Sequence, residues 1–162
     1  MKTKYTILGD KTTLIAERSF PATPSKVWEA WTNSDLLDKW WGPLPYKAVT
    51  HSFEFAEGGA WKYFMEGPEG DRHYCQNTYL TIDPEKQFTA RDSFCNEDWS
   101  INESLPTADW LVEFTGNEEV TNIKVTTKYK TEEELAKVSE MGMKEGFDMG
   151  LNQLEELLVM SN

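Results

Sequence analysis

Cysteine and histidine are scarce in this 162-residue chain, which holds only Cys75 and Cys95, His51 and His73. They form no CxxC, no HExxH and no other metal-ligand spacing, which argues against a zinc site and a disulfide framework. The two thiols are expected to be reduced, as in the cytoplasm. Long apolar runs are missing as well. The first twenty residues carry only short alternating patches such as Tyr5, Ile7, Leu14 and Ala16, so neither a signal peptide nor a membrane span is expected. Cations are few: 16 Lys and Arg stand against 28 Asp and Glu, for a net charge of −12. That sign opposes phosphate-backbone binding, and nucleic acid is not an expected partner. There is no GxSxG, no glycine-rich phosphate loop and no dinucleotide fingerprint, and Gly67-Pro68-Glu69-Gly70 reads as a turn with only Arg72 beside it. Covalent catalysis has no evident nucleophile, and no cofactor is expected.

What the chain does have is a core's worth of hydrophobic residues, 39% of the total with 13% aromatic, which argues for an ordered globule. A chain of this length fits a single domain, taken here as residues 1–162, with roughly 70% of the unfolded surface buried. Alternation predicts a first strand over 12–20, ended by Pro21. Thr23 with Pro24 opens a short helix carrying Val27, Trp28 and Trp31, and a second, from Asn33 or Ser34, carries Leu36, Leu37 and Trp40 and stops at Gly42-Pro43. Period-two patterns then predict strands over 48–55, 60–66, 73–82, 87–95, 108–115 and 120–129, joined by short turns as in an antiparallel meander. Residues 96–106 form a longer polar connection able to act as a lid. In strand 73–82, Tyr79 lies on the opposite parity from Leu80 and Ile82. A bulge near Leu80 would reconcile them, whereas a regular hairpin centred on Glu85 would set Cys75 across from Cys95.

Residues 131–158 read as one amphipathic helix opened by a Thr131/Glu134 capping box, with Glu132 to Glu134 suiting the positive end of its dipole. Gly142, Gly146 and Gly150 recur every four residues on one face of it. Each costs about 1 kcal/mol relative to alanine inside a helix, so the groove they leave calls for an offsetting reason: close approach of another element, or room for a ligand.

The segments PSKVWEAW (24–31), LDKWWGP (37–43), GGAW (58–61), YLTIDP (79–84) and Gly146-Phe147, in this order and spacing, resemble the helix-grip or START-like (SRPBCC) superfamily. Within it they resemble the domain family named after the activator of the heat-shock-protein-90 ATPase. The resemblance spans most of the chain and implies an α+β helix-grip fold. In that fold a curved antiparallel sheet of about seven strands, with two short helices after strand 1, wraps a long C-terminal helix around an internal cavity. Two positions depart from the family pattern: Asn77 stands where relatives usually have glycine, and Phe147 where tryptophan is common. Asn77 adds a donor and an acceptor near that cavity.

Alternation nominates His51, Phe53, Trp61, Tyr63, Met65, Trp110, Val112, Phe114 and Val125 for the cavity face of the strands. Asn77 and Tyr79 join them from strand 73–82, while Met143, Gly146, Phe147 and Leu151 face them from the helix. The plainer alternative is that these residues simply fill a core. For acid/base chemistry the first residues to consider are Asp92, Tyr63 and His51. The ordinary reading of Asp92 is a solvated carboxylate or a partner in the neighbourhood of Arg91. His51 reads ordinarily as a hydrogen-bonded core histidine, and His73, beside Asp71 and Arg72, as solvated. The expected function is binding of a small apolar or amphipathic molecule. The resemblance also implies two alternatives: a co-chaperone-like, stress-response partner of a heat-shock-protein-90 ATPase, and a cyclase-, dehydratase- or hydrolase-like enzyme, which would need a buried polar cluster around His51, Tyr63 or Asp92. A homodimer is compatible with the sequence.

Overall fold

The computed structural model describes residues 2–160. Its strands are β1 (Lys4–Ile7), β2 (Thr13–Phe20), β3 (Lys47–Phe53), β4 (Ala60–Glu66), β5 (Arg72–Asp83), β6 (Gln87–Cys95), β7 (Ala108–Gly116) and β8 (Thr121–Lys128). Its helices are α1 (Pro24–Thr32), α2 (Ser34–Trp40), α3 (Glu132–Glu140) and α4 (Met143–Met160). All eight strands form one antiparallel sheet in the order β1-β2-β8-β7-β6-β5-β4-β3. The long excursion through α1 and α2 carries the chain from one side of the sheet to β3 at the opposite edge. The eighth strand, β1, lies outside the predicted set: only four residues long and mostly exposed, it lacks an alternating burial signal.

Helix starts follow the capping residues. Thr23 and Thr131 accept backbone N–H bonds from Lys26 (3.3 Å) and Glu134 (3.1 Å), and Asn33 accepts one from Asp35 (2.9 Å). The predicted single helix over 131–158 is instead two. Gly142 adopts φ +86°, a left-handed conformation that ends α3 as a glycine C-terminus does, and α4 restarts one residue later. The 18 residues of α4 span about 27 Å.

Of the two remaining glycines of the repeat, Gly150 serves a close approach, and the approaching element is the end of α2. A Cβ on Gly150 would lie 3.3 Å from the Trp40 carbonyl oxygen and 3.5 Å from that of Trp41, and one on Gly146 would lie 3.6 Å from Pro43 Cγ. One turn on, Gln153 Nε2 donates to the carbonyls of Trp40 (2.9 Å) and Gly42 (2.8 Å), satisfying the open end of α2. The core therefore sits between the concave sheet face and α1, α2 and α4, with Phe20, Val27, Leu37, Trp40, Val112 and Leu154 fully buried. A smaller cluster of Leu14, Ala108, Tyr129, Leu135 and Val138 anchors α3 over the sheet. Of the four clustered tryptophans, Trp31 and Trp40 are buried while Trp28 and Trp41 pack half-exposed against the core.

Two bulges decide which residues face inward. In β5 the pairing with β6 shifts between Tyr79 and Thr81, leaving Leu80 exposed and returning Tyr79 and Ile82 to the inner face. The same shift pairs Cys75 with Phe94 and Cys95 with Tyr74, so the two thiols lie on opposite faces of the sheet. The regular-hairpin alternative is thereby excluded. Mild oxidation is accordingly expected to give no internal disulfide, which intact-mass measurement under denaturing conditions would check. In β3 the register shifts between Thr50 and Ser52.

Candidate functional site

Between the sheet and the α3–α4 elbow lies a cavity of about 260 Å³. Alternate residues of the strands supply its floor: Tyr63 and Met65 from β4, Cys75 from β5, Asp92 and Phe94 from β6, Ala108 and Trp110 from β7. Tyr129 follows β8, and Pro106 enters from the long connection before β7. The roof consists of Trp41 and Pro43 after α2, Val138 of α3, Met141 and Gly142 at the elbow, and Met143, Gly146 and Phe147 of α4. Termination of α3 at Gly142 thus bends the helical layer into a hood. A single straight helix could not cover both sides of this space.

Apolar and aromatic groups dominate the wall, with a few polar atoms among them. The Tyr63 hydroxyl accepts a hydrogen bond from Trp41 Nε1 at 2.9 Å. Burial raises the pKa values of Tyr63 and Tyr129, and that of the Cys75 thiol, so all three stay neutral at physiological pH. Asp92 is paired through the backbone with Asn77 and Ala108 and turns its half-buried carboxyl to the inner face. Desolvation lifts its pKa from the ordinary 3.8 to about 7. Trp110 Nε1 is buried without a hydrogen-bond partner. An unsatisfied donor of this kind costs about 1–3 kcal/mol.

Six of the residues nominated from sequence meet at this cavity: Tyr63, Met65, Trp110, Met143, Gly146 and Phe147. Others lie elsewhere. His51 sits at the β3 bulge, exposed on the outer face and stacked on Trp99 with ring centroids 4.8 Å apart. The bulge reverses the facing that alternation assigned, so Thr50, one residue earlier, points inward and accepts the Trp61 indole N–H at 3.0 Å. Trp61, Asn77 and Tyr79 border a separate void of about 10 Å³, at the limit for one water. Phe53 and Phe114 pack into the aromatic core, where Phe114 meets Trp28 at 5.1 Å, and Leu151 is buried there too. Val112 and Val125 are also core.

Sequence reasoning favoured solvent or Arg91 for Asp92; Arg91 instead points outward and binds Asp109 at 2.9 Å. His73 is exposed beside Asp71, as expected. The cavity residues that went unnominated are chiefly Cys75, Phe94, Tyr129 and the elbow. Strict alternation from Tyr63 would have found Cys75 once the β4–β5 register was known, whereas nothing in the sequence signals the elbow beyond Gly142 itself. A larger furrow of about 810 Å³ runs along the outer face past Gln76, Arg91, Asp109 and Lys128. Its wall carries charges of both signs, among them the Arg91–Asp109 pair.

Among the described residues, no group of three or more His, Cys, Asp or Glu is placed to hold a metal ion, and no helix is long and apolar enough to cross a membrane. A family sequence model described as "Activator of Hsp90 ATPase homolog 1-like protein" matches residues 21–159. No curated protein matches the chain. Among solved structures, Protein Ms6760 from Mycobacterium smegmatis is similar at 28% identity with a TM-score of 0.87, over 98% of this chain and 96% of that one. A protein from Arthrobacter aurescens is similar at 25% identity with a TM-score of 0.91, over 97% and 91% of the two chains. One from Staphylococcus epidermidis is similar at 27% identity with a TM-score of 0.85, over 97% and 95%.

Proposed function

Because this chain belongs to the Activator of Hsp90 ATPase homolog 1-like family, and families on one fold diverge through their cavities, we infer its function from its own cavity. We propose that it binds a small molecule with an apolar body and at least one polar group, held under the α3–α4 elbow. The observation that carries this reading is the 260 Å³ space walled by Trp41, Met65, Trp110 and Phe147, into which Asp92 turns. Apolar pockets with a few convergent polar groups are the usual form of ligand sites.

Gly146→Leu tests it. The new Cβ meets Pro43 at ordinary contact distance, and the substitution removes a helix-interior glycine, so the fold is expected to persist while four carbons enter the cavity. Uptake of 1-octanol, followed by saturation-transfer NMR, is expected to fall at least tenfold. Unchanged uptake by a variant with native circular dichroism would sink the reading.

A second reading draws on the same carboxyl. Tyr63, Cys75, Asp92 and Tyr129 supply the inward polar cluster that an enzyme of this fold would need, and an acid held near neutrality is suited to proton transfer with a bound substrate.

A further inference from the structure

We propose that the occupant of the cavity is an amphipathic amine, a compact apolar body whose protonated nitrogen pairs with the Asp92 carboxylate. This rests on the ligand-binding reading above and specifies the chemistry of what is bound. Asp92 is the only charged side chain on the cavity wall, and no hydrogen bond or ion pair to it exists among the described residues. The nearest arginine in sequence, Arg91, lies on the opposite face and is committed to Asp109.

A carboxylate in such surroundings is unfavourable until a cation joins it, so an anionic ligand is repelled and a neutral one leaves it unmatched. The walls favour the same sign. Trp41, Tyr63, Trp110 and Phe147 ring the space, and their π-systems attract cations. The chain's net charge of −12 concentrates cations around the molecule as a whole. A space of about 260 Å³ suits a compact body.

The titratable groups facing Asp92 are Tyr63 from β4, Cys75 from β5 and Tyr129 after β8, all kept neutral by burial. The α3–α4 hood presents only apolar side chains and two glycines there, from Val138 through Met141 to Phe147. Binding of an amine should therefore strengthen as pH rises through the Asp92 value of about 7, while a neutral ligand should show no such gain.

The experiment compares octylamine, 1-octanol and octanoate, which share an eight-carbon body, by isothermal titration calorimetry with the full chain. Octylamine is expected to bind about 10- to 100-fold more tightly than either competitor at pH 8, the range of a charged hydrogen bond. Its advantage should shrink at pH 5.5 and vanish in Asp92→Asn. Equal binding of octylamine and octanol would overturn the amine inference and leave the pocket standing. A preference that survives in folded Asp92→Asn would overturn the pairing. Binding of none of the three would overturn the pocket reading and this inference with it. The pH series on the unmodified chain decides the matter even if Asp92→Asn does not fold.

Discussion

Trp40→Ala is expected to cost about 3–5 kcal/mol, a large part of the roughly 5–15 kcal/mol that holds a domain of this kind together. Trp40 is completely buried. Its indole N–H donates to the Ala30 carbonyl at 2.9 Å, tying α2 back onto α1. Its ring meets Trp31 at 5.0 Å and Trp41 at 5.3 Å, both edge to face, a geometry that adds to the gain from burial. Its backbone carbonyl receives Gln153 and lies against Gly150, so the residue joins α2 to α4 as well. Truncation would leave a void with rigid walls on three sides and strand the Ala30 carbonyl. Urea denaturation followed by circular dichroism measures the loss. A cost under 1 kcal/mol would mean that the helical layer repacks freely and that the hood over the cavity is not fixed by this contact.

Asp92→Asn should act in the opposite direction, stabilising the fold at pH 8 by about 2–4 kcal/mol. In the native state the carboxyl titrates at about 7, against 3.8 ordinarily. Between those values the folded chain holds a proton that the unfolded chain has released, so raising pH favours unfolding. The stability contributed by protonated Asp92 is complete below about pH 4, declines through neutrality and is gone above about pH 8. Asparagine never ionises, so the variant should match the original near pH 4 and exceed it at pH 8. Thermal melts of both proteins across that range check the sign. Exposed acids such as Asp10, Asp71 and Asp98, whose pKa values are lowered by hydrogen bonds, act the other way and at lower pH, which is why the difference between the two proteins is the quantity to measure. A difference that does not vary with pH would mean that Asp92 is solvated and ordinary. A positive result exhibits a stability–function conflict, because the group that weakens the empty protein is the one assigned to hold the ligand.

Much of the architecture was legible because it depends on local signals. Thr23-Pro24, Asn33 and Thr131 cap the first turns of the helices that follow them, and period-two patterns with Gly, Pro and Asp turns set the strands from 60 to 129. In strand 73–82 the sequence showed a parity conflict but left a bulge and a regular hairpin both open, and only the pairing of β5 with β6 chose the bulge. His51 was misplaced for the converse reason: its bulge leaves no parity conflict in the sequence, since Val49, His51, Phe53 and Phe55 alternate smoothly across it. The long helix was over-extended because Gly142 fits the apolar period as well as it fits a terminus. Only its positive φ, imposed where α3 meets its own small core and α4 turns toward α2, distinguishes the two.

The sequence by itself determined that this is an antiparallel sheet with a helical cover, an acidic surface and no nucleophile or metal motif, because periodicity, capping and composition act over a few residues at a time. The tertiary structure alone decided that Asp92 turns inward, that Gly150 receives the end of α2, and that the helical layer bends to leave a cavity. Those outcomes depend on register and on contacts between segments up to about a hundred residues apart, such as Gln153 with Trp40 at a separation of 113. Short-range patterns carry no information at that range.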